Sequence, residues 1–198
     1  MELGLRDKTA VITGGSRGIG FEIARAFLQE GARVALCARD KEVLKEAEQA
    51  LSPLGQVLVM EADATRQEEM DRVADESARR FGGIHCWVNN VGASIPRAGA
   101  QYTAEEVRQT VSVCFDTAVY GCQAALRHMK QTGGAIVNIS SLAARCGTAG
   151  RSALYGPLKA AVRELAVMYA AEYAAYGIRV NSVLPGFTAT PAVERTIS

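Results

Sequence analysis

Short apolar runs alternate along the chain with longer amphipathic stretches, and glycine, proline or a small polar residue stands at most changes of period. The first run, Thr9-Ala10-Val11-Ile12, passes through Thr13-Gly14-Gly15-Ser16-Arg17-Gly18-Ile19-Gly20 into an amphipathic segment over residues 21–28, which is the order strand, glycine turn, helix. Gly31 is placed to end that helix. Arg33-Val34-Ala35-Leu36-Cys37-Ala38 is then nearly continuous in apolar character, as a strand covered on both faces of a parallel sheet requires. A charged helix over residues 41–51 stops at Ser52-Pro53. The strand Val57-Leu58-Val59-Met60 and the turn Glu61-Ala62-Asp63-Ala64-Thr65 lead to a helix over 67–81, closed by Gly82-Gly83. A strand over 84–88 runs into Asn89-Asn90-Val91-Gly92, and Pro96 and Gly99 keep residues 93–101 irregular. Thr103-Ala104-Glu105-Glu106 is a capping box that opens one long helix reaching residue 130. A strand over 135–139, a loop over 140–154, a helix over 155–176 and a strand over 177–183 precede Leu184-Pro185-Gly186.

Six apolar strands alternating with five helices predict an α/β protein with a doubly wound parallel sheet, a Rossmann fold of strand order 3-2-1-4-5-6. The ligand crevice belongs at the carboxyl ends of strands 1 and 4, where that order reverses. The 198 residues fit one domain, 1–198, without linker or repeat. A formal net charge of +1, with 48% apolar and 22% charged residues, argues against disorder and against a nucleic-acid partner. No apolar run reaches the roughly 18 residues of a membrane span, so no membrane partner is expected. Cys37, Cys86, Cys114, Cys122 and Cys146 follow no metal-ligand spacing, and His85 and His128 are the only histidines. No metal site is expected, and the thiols read as free in a reducing compartment. The amino terminus lacks the apolar core of a signal peptide, which places the protein in the cytoplasm.

Glycine at 14, 18 and 20 suits a turn that needs positive φ, a close backbone approach to a pyrophosphate, and a helix packed tightly on a strand. The first amides of the following helix then face the phosphates. Thr13-Gly14-x-x-x-Gly18-x-Gly20, Asn89-Asn90-Val91-Gly92, Ser141, Tyr155-x-x-x-Lys159 and Pro185-Gly186 together resemble the short-chain dehydrogenase/reductase family over nearly the whole chain. The resemblance implies a nicotinamide cofactor, hydride transfer to or from a small-molecule carbonyl or alcohol, and a homo-oligomer, dimer or tetramer. It also implies a helical lid and a last edge strand after residues 185–191, expected beyond Ser198 and absent from this chain.

Tyr155 and Lys159 are four apart, so on a helix they share a face. Moving a phenol from its usual pKa of about 10 towards neutrality needs roughly 4 kcal/mol. An ammonium about 4 Å away supplies about that much at an effective dielectric near 20. Tyr155 is therefore the expected acid/base, with Lys159 as its modulator. Spacing alone leaves Ser140 and Ser141 both open as substrate anchor; the resemblance selects Ser141. It also implies that Lys159 grips the nicotinamide ribose, and that an asparagine in the long helix completes a proton relay. Cys114 stands at that position here, so either the relay runs differently, through Ser112, or turnover is impaired. Pro157, between Tyr155 and Lys159, falls in the first helical turn and forfeits no helix bond.

An acidic residue at the end of strand 2 would bind the ribose hydroxyls of NAD and repel a 2′-phosphate. Ala38 stands there, followed by Arg39, and Arg17 approaches from the glycine turn, which favours NADP(H) over NAD(H). Asp40 as the ribose acid is the alternative. Asp63 is expected to accept from the adenine amino group, Asn90 to line the adenosine ribose and Thr188 to contact the carboxamide side of the nicotinamide, while Ser16, Ile19, Ala64, Gly92, Pro185 and Gly186 complete the cofactor contacts along with Tyr155 and Lys159. Thr13, Asn89 and Asn138 are expected to tie strands together instead. Residues 93–96 and 144–154 are expected to line a substrate pocket of small side chains and mixed polarity. An NADP(H)-dependent carbonyl reductase or alcohol dehydrogenase follows. The alternatives are a cofactor-binding protein that acts through interactions, and an isomerase or dehydratase on the same fold.

Overall fold

The computed structural model describes residues 2–93, 101–147 and 152–190. The expected pocket stretch at 94–96, Gly99 and residues 191–198 lie outside it. The first half alternates β1 (Thr9–Thr13), α1 (Gly18–Gln29), β2 (Arg33–Ala38), α2 (Lys41–Leu51), β3 (Val57–Glu61) and α3 (Gln67–Phe81). The second half runs β4 (Cys86–Asn89), α4 (Ala104–Val111), α5 (Thr117–Met129), β5 (Gly134–Ile139), α6 (Tyr155–Tyr173) and β6 (Ile178–Val183). These six strands form one parallel sheet in the order β3-β2-β1-β4-β5-β6, so the doubly wound Rossmann fold is the observed one.

Alternation within the strands decides which face each helix covers. Val11 and Ala35 point into a core with Met70 and Val73 of α3, Ala125 and Met129 of α5 and Ala166 of α6. Ala10, Ile12, Val34 and Leu36 point the other way, against Ala24 and Leu28 of α1 and Leu44 and Leu51 of α2. Burying each large aliphatic side chain contributes roughly 1.5–3 kcal/mol. Two covered faces explain why the interior positions of β1 and β2, 10–12 and 34–37, are all apolar.

Three boundaries differ from the sequence reading. The fourth strand begins at Cys86 rather than residue 84, although His85 already donates to Thr9 O at 3.0 Å and accepts from Ala135 N at 2.9 Å. The long fourth helix is divided by a π turn, Ser112–Asp116, between α4 and α5. One extra residue fits into that turn, which hydrophobic periodicity does not register. The last helix stops at Tyr173, tightens over Ala174–Tyr176 and ends on left-handed Gly177, φ 68°.

Below the carboxyl end of β4, buried amides replace apolar packing. Trp87 Nε1 donates to Asn89 Oδ1 at 2.7 Å, and Asn89 Nδ2 donates to Asn138 Oδ1 at 2.9 Å and Ala118 O at 3.3 Å. The expected strand-tying role of Thr13, Asn89 and Asn138 is the one observed, with Thr13 Oγ1 accepting from Asn90 N at 3.0 Å.

Candidate active site

The glycine turn sits between β1 and α1 with Gly14 and Gly18 at φ 64° and 58°. A Cβ on Gly20 would collide with Gly14 O and stand 2.6 Å from Asn90 Nδ2, so only glycine lets α1 start this close to the turn. Asn90 Nδ2 donates to Thr13 O at 3.1 Å and Gly14 O at 3.0 Å. Its amide nitrogen thus braces the turn, where a contact to ribose was expected. Gly15, not singled out in the sequence, backs onto Leu36: an added Cβ would lie 2.7 Å from Leu36 Cβ.

The start of α1 fits a dinucleotide diphosphate. Its N-cap, Arg17, makes no side-chain cap bond, and its first turn holds no acidic residue. By contrast Asp40 caps α2, and Thr103 caps α4 through a full capping box. Uncapped amides with no carboxylate in the first turn favour an anion. Ser16, Arg17, Gly18 and Ile19 face Thr188 and Thr190 across a cavity of about 790 Å³. Thr190 was missed in the sequence, where nothing separates it from Thr188. In the structure Thr190 packs over Gly18, whose added Cβ would be 3.6 Å from Thr190 Cγ2, while Thr188 Oγ1 turns back to Gly186 O at 3.4 Å.

At the end of β2, Arg39 is exposed, as is Arg17. Asp40 Oδ1 accepts from Glu42 N and Val43 N, both at 3.1 Å, so this carboxylate is engaged as the α2 cap. After β3, Asp63 Oδ1 accepts from Thr65 N at 3.0 Å and Thr65 Oγ1 at 2.8 Å, and Ala64 beside it is buried.

The two serines after β5 separate by partner. Buried Ser140 donates to Lys159 O at 2.7 Å and so fastens α6 to the sheet. Ser141 instead caps a short turn by accepting from Ala143 N at 3.2 Å, and it lines the same cavity as Tyr155. Tyr155 opens α6, and Pro157 is tolerated in its first turn as expected.

Lys159 lies one turn further on, only 3% exposed, with Nζ donating to Ile139 O at 2.8 Å and 5.8 Å from the Tyr155 ring centroid. Burial pulls its ammonium below the usual lysine range. Burial pushes the Tyr155 phenol above the usual tyrosine value, opposed by the Ser141 hydrogen bond. The expected depression of the phenol is therefore not met in this geometry. The ammonium is turned to a backbone carbonyl, and desolvation is the largest influence on the phenol.

Gly92 leaves room for that ammonium, since an added Cβ would lie 2.7 Å from Lys159 Nζ. Cys114, on the π turn, is buried and donates to Ala93 O at 2.8 Å. Ser141 and Tyr155 line a cavity of about 890 Å³ whose rim includes Pro185, Gly186 and Phe187. Leu142 N donates to Pro185 O at 2.9 Å and holds that rim against the serine loop. The volume is that of a small-molecule site.

A family model described as short chain dehydrogenase matches residues 8–198. The chain is 34% identical to L-fucose dehydrogenase of Bos taurus, over 98% of this chain and 72% of that protein. It is 32% identical to the NADP-dependent (R)-specific alcohol dehydrogenase of Lentilactobacillus kefiri, over 96% and 77%. The chain belongs to the short-chain dehydrogenase family. A short-chain type dehydrogenase/reductase from Mycobacterium marinum superposes with a TM-score of 0.94 at 31% identity, covering 98% of this chain and 78% of that one. The Pseudomonas aeruginosa RhlG/NADP active-site complex does so with a TM-score of 0.91 at 29% identity, covering 96% and 77%. The short-chain dehydrogenase assignment makes the protein an oxidoreductase by family. No described helix is long and apolar enough to cross a membrane, and no described cluster of His, Cys, Asp and Glu could hold a metal.

Proposed function

We propose that the protein moves a hydride between NADP(H) and a carbonyl or secondary-alcohol substrate. The carrying observation is that Ser141 and Tyr155 stand on the wall of one 890 Å³ cavity, with Lys159 one helical turn further along α6. The nicotinamide, when bound, supplies or accepts the hydride. Tyr155 donates its phenolic proton to the carbonyl oxygen in reduction and takes the hydroxyl proton in oxidation. Ser141 holds the same oxygen by a second hydrogen bond. Lys159 places a positive charge beside the developing phenolate and reaches towards the ribose.

For the cofactor, the uncapped start of α1 with Ser16, Gly18 and Ile19 would take the diphosphate. Arg17 and Arg39 are exposed at the edge of the crevice, and the acid next to them, Asp40, is turned to α2. That arrangement supports a 2′-phosphate. Two compared proteins carry NADP in their names, the Lentilactobacillus alcohol dehydrogenase and the Pseudomonas complex. Asp63 would take the adenine amino group and Thr188 the carboxamide side of the nicotinamide, with Gly92, Pro185 and Gly186 along the same cofactor and Thr190, over Gly18, beside the diphosphate. Five free cysteines support a reducing, cytoplasmic setting. Val167 and Met168 on α6, 54% and 61% exposed, support pairing between copies.

The test mixes the protein with NADPH or NADH and a panel of ketones, following cofactor absorbance. Turnover with NADPH is expected, and Tyr155→Phe should abolish it while NADPH still binds. Full activity in that variant removes the tyrosine from the reaction.

A further inference from the structure

A chain of hydroxyl contacts converges beneath Tyr155 from an element the catalytic trio does not use. Tyr102 immediately precedes α4, where Thr103 Oγ1 accepts from Glu106 N at 3.2 Å and Glu106 Oε2 accepts from Thr103 N at 2.8 Å. This capping box fixes the backbone that carries Tyr102. The Tyr102 hydroxyl accepts from Ala153 N at 2.8 Å and donates to Ser152 Oγ at 3.3 Å. Ser152 Oγ also accepts from Tyr155 N at 3.3 Å, which supplies the cap that Leu154 does not give to α6.

The hydrogen-bond count at Ser152 is then decisive. A serine hydroxyl has two acceptor lone pairs and one proton. With Tyr102 and the Tyr155 N–H both donating to it, Ser152 keeps its own proton for a third partner. Ser152 lines the same cavity as Ser141 and Tyr155. We propose that Ser152 is a second donor to the substrate, held in that role by Tyr102 as a positioning residue. The substrate class is then a carbonyl compound, or the matching alcohol, that carries a further acceptor oxygen near the reacting carbon, as in hydroxyketones and sugars. This rests on the dehydrogenase reading above.

The test compares 1-hydroxy-2-butanone with 3-pentanone, in which a methyl replaces the hydroxyl, under reduction by NADPH. The wild type is expected to favour the hydroxyketone in kcat/KM. Ser152→Ala should shrink that preference by roughly five- to tenfold, the worth of one neutral hydrogen bond, mainly through KM. Tyr102→Phe should shrink it in the same direction, and the double variant should be no worse than Ser152→Ala alone, because the two act as one unit. Ser152→Thr, which keeps the hydroxyl and the cap, should restore it. An unchanged preference in Ser152→Ala, or additive losses in the double variant, overturns the inference. A wild type that reduces both ketones without discrimination overturns it while leaving the dehydrogenase reading intact. A wild type that reduces no ketone of any kind overturns both.

Discussion

The thiol of Cys114 and the carbonyl of Ala93 are 2.8 Å apart, tying the π turn between α4 and α5 to the segment that leaves β4. The sulfur's one proton is thereby directed to a backbone oxygen, away from Lys159. Family resemblance places a relay asparagine at this position, and a thiol cannot offer an amide's paired donor and acceptor. Cys114→Ala should therefore leave kcat within about threefold of wild type and lower stability by about 1 kcal/mol, the usual worth of one hydrogen bond. Steady-state kinetics beside urea unfolding measures both. A loss of turnover well beyond the loss of stability would place the thiol on the proton path.

Gly92 and Lys159 leave each other no spare volume. Gly92→Ala would set a methyl 2.7 Å from Nζ and 3.2 Å from Cε, and the ammonium must move. A displacement of that order should lower kcat by roughly 10–100-fold. The fold should persist by circular dichroism. Wild-type kcat in this variant would mean that the observed ammonium position is not the working one.

The pH dependence follows from the direction of the Tyr155 shift. Burial holds the phenol protonated to a higher pH than a free tyrosine, whose pKa is about 10. Reduction uses the protonated form, so its kcat/KM should stay level from about pH 6 to about pH 9. Oxidation uses the phenolate, so its rate should climb through the same interval without levelling. Rate profiles in both directions decide this. An oxidation plateau near neutrality would show that Lys159 overrides desolvation during turnover.

Arg39 and Asp40 should separate by function. Asp40→Asn keeps an N-cap oxygen and should leave the NADPH to NADH preference within about twofold, while Asp40→Ala should cost about 1 kcal/mol through the loss of the α2 cap. Arg39→Ala should weaken NADPH by roughly tenfold, the loss of a charge-assisted contact, and NADH little. Fluorescence titration with each coenzyme reads this directly. Equal weakening of both would take Arg39 away from the 2′-phosphate.

Strand order, the glycine turn and the Tyr155–Lys159 face were legible because each depends on residue type and short spacing, which a sequence carries openly. The assignment between Ser140 and Ser141 was not. Both are hydroxyls after one strand, and only the fold sends the first to Lys159 O and sets the second on the cavity that Tyr155 lines. The direction of the Tyr155 shift was misjudged for a related reason. Sequence spacing brings Lys159 to the right face, but the bond to Ile139 O and the depth of burial arise from packing. The π turn left no periodic trace, and neither did the bonds by which the Asn90 amide nitrogen holds Thr13 and Gly14. Tyr102 and Ser152 sit on either side of a long sequence gap, so their contact could not be read in one dimension.

The amide chain from Trp87 through Asn89 to Asn138 makes the alignment of β4 on β5 a matter of direction as well as of greasiness. Valines and isoleucines tolerate sliding past one another; an oxygen and a nitrogen facing across a pair of strands do not. A slip by one residue would turn Asn89 away from Asn138 and leave a buried amide N–H without that partner. Wrongly threaded versions of the central strands are thus penalised where the catalytic end of the sheet begins, which keeps the mount beneath the reacting groups in a single form.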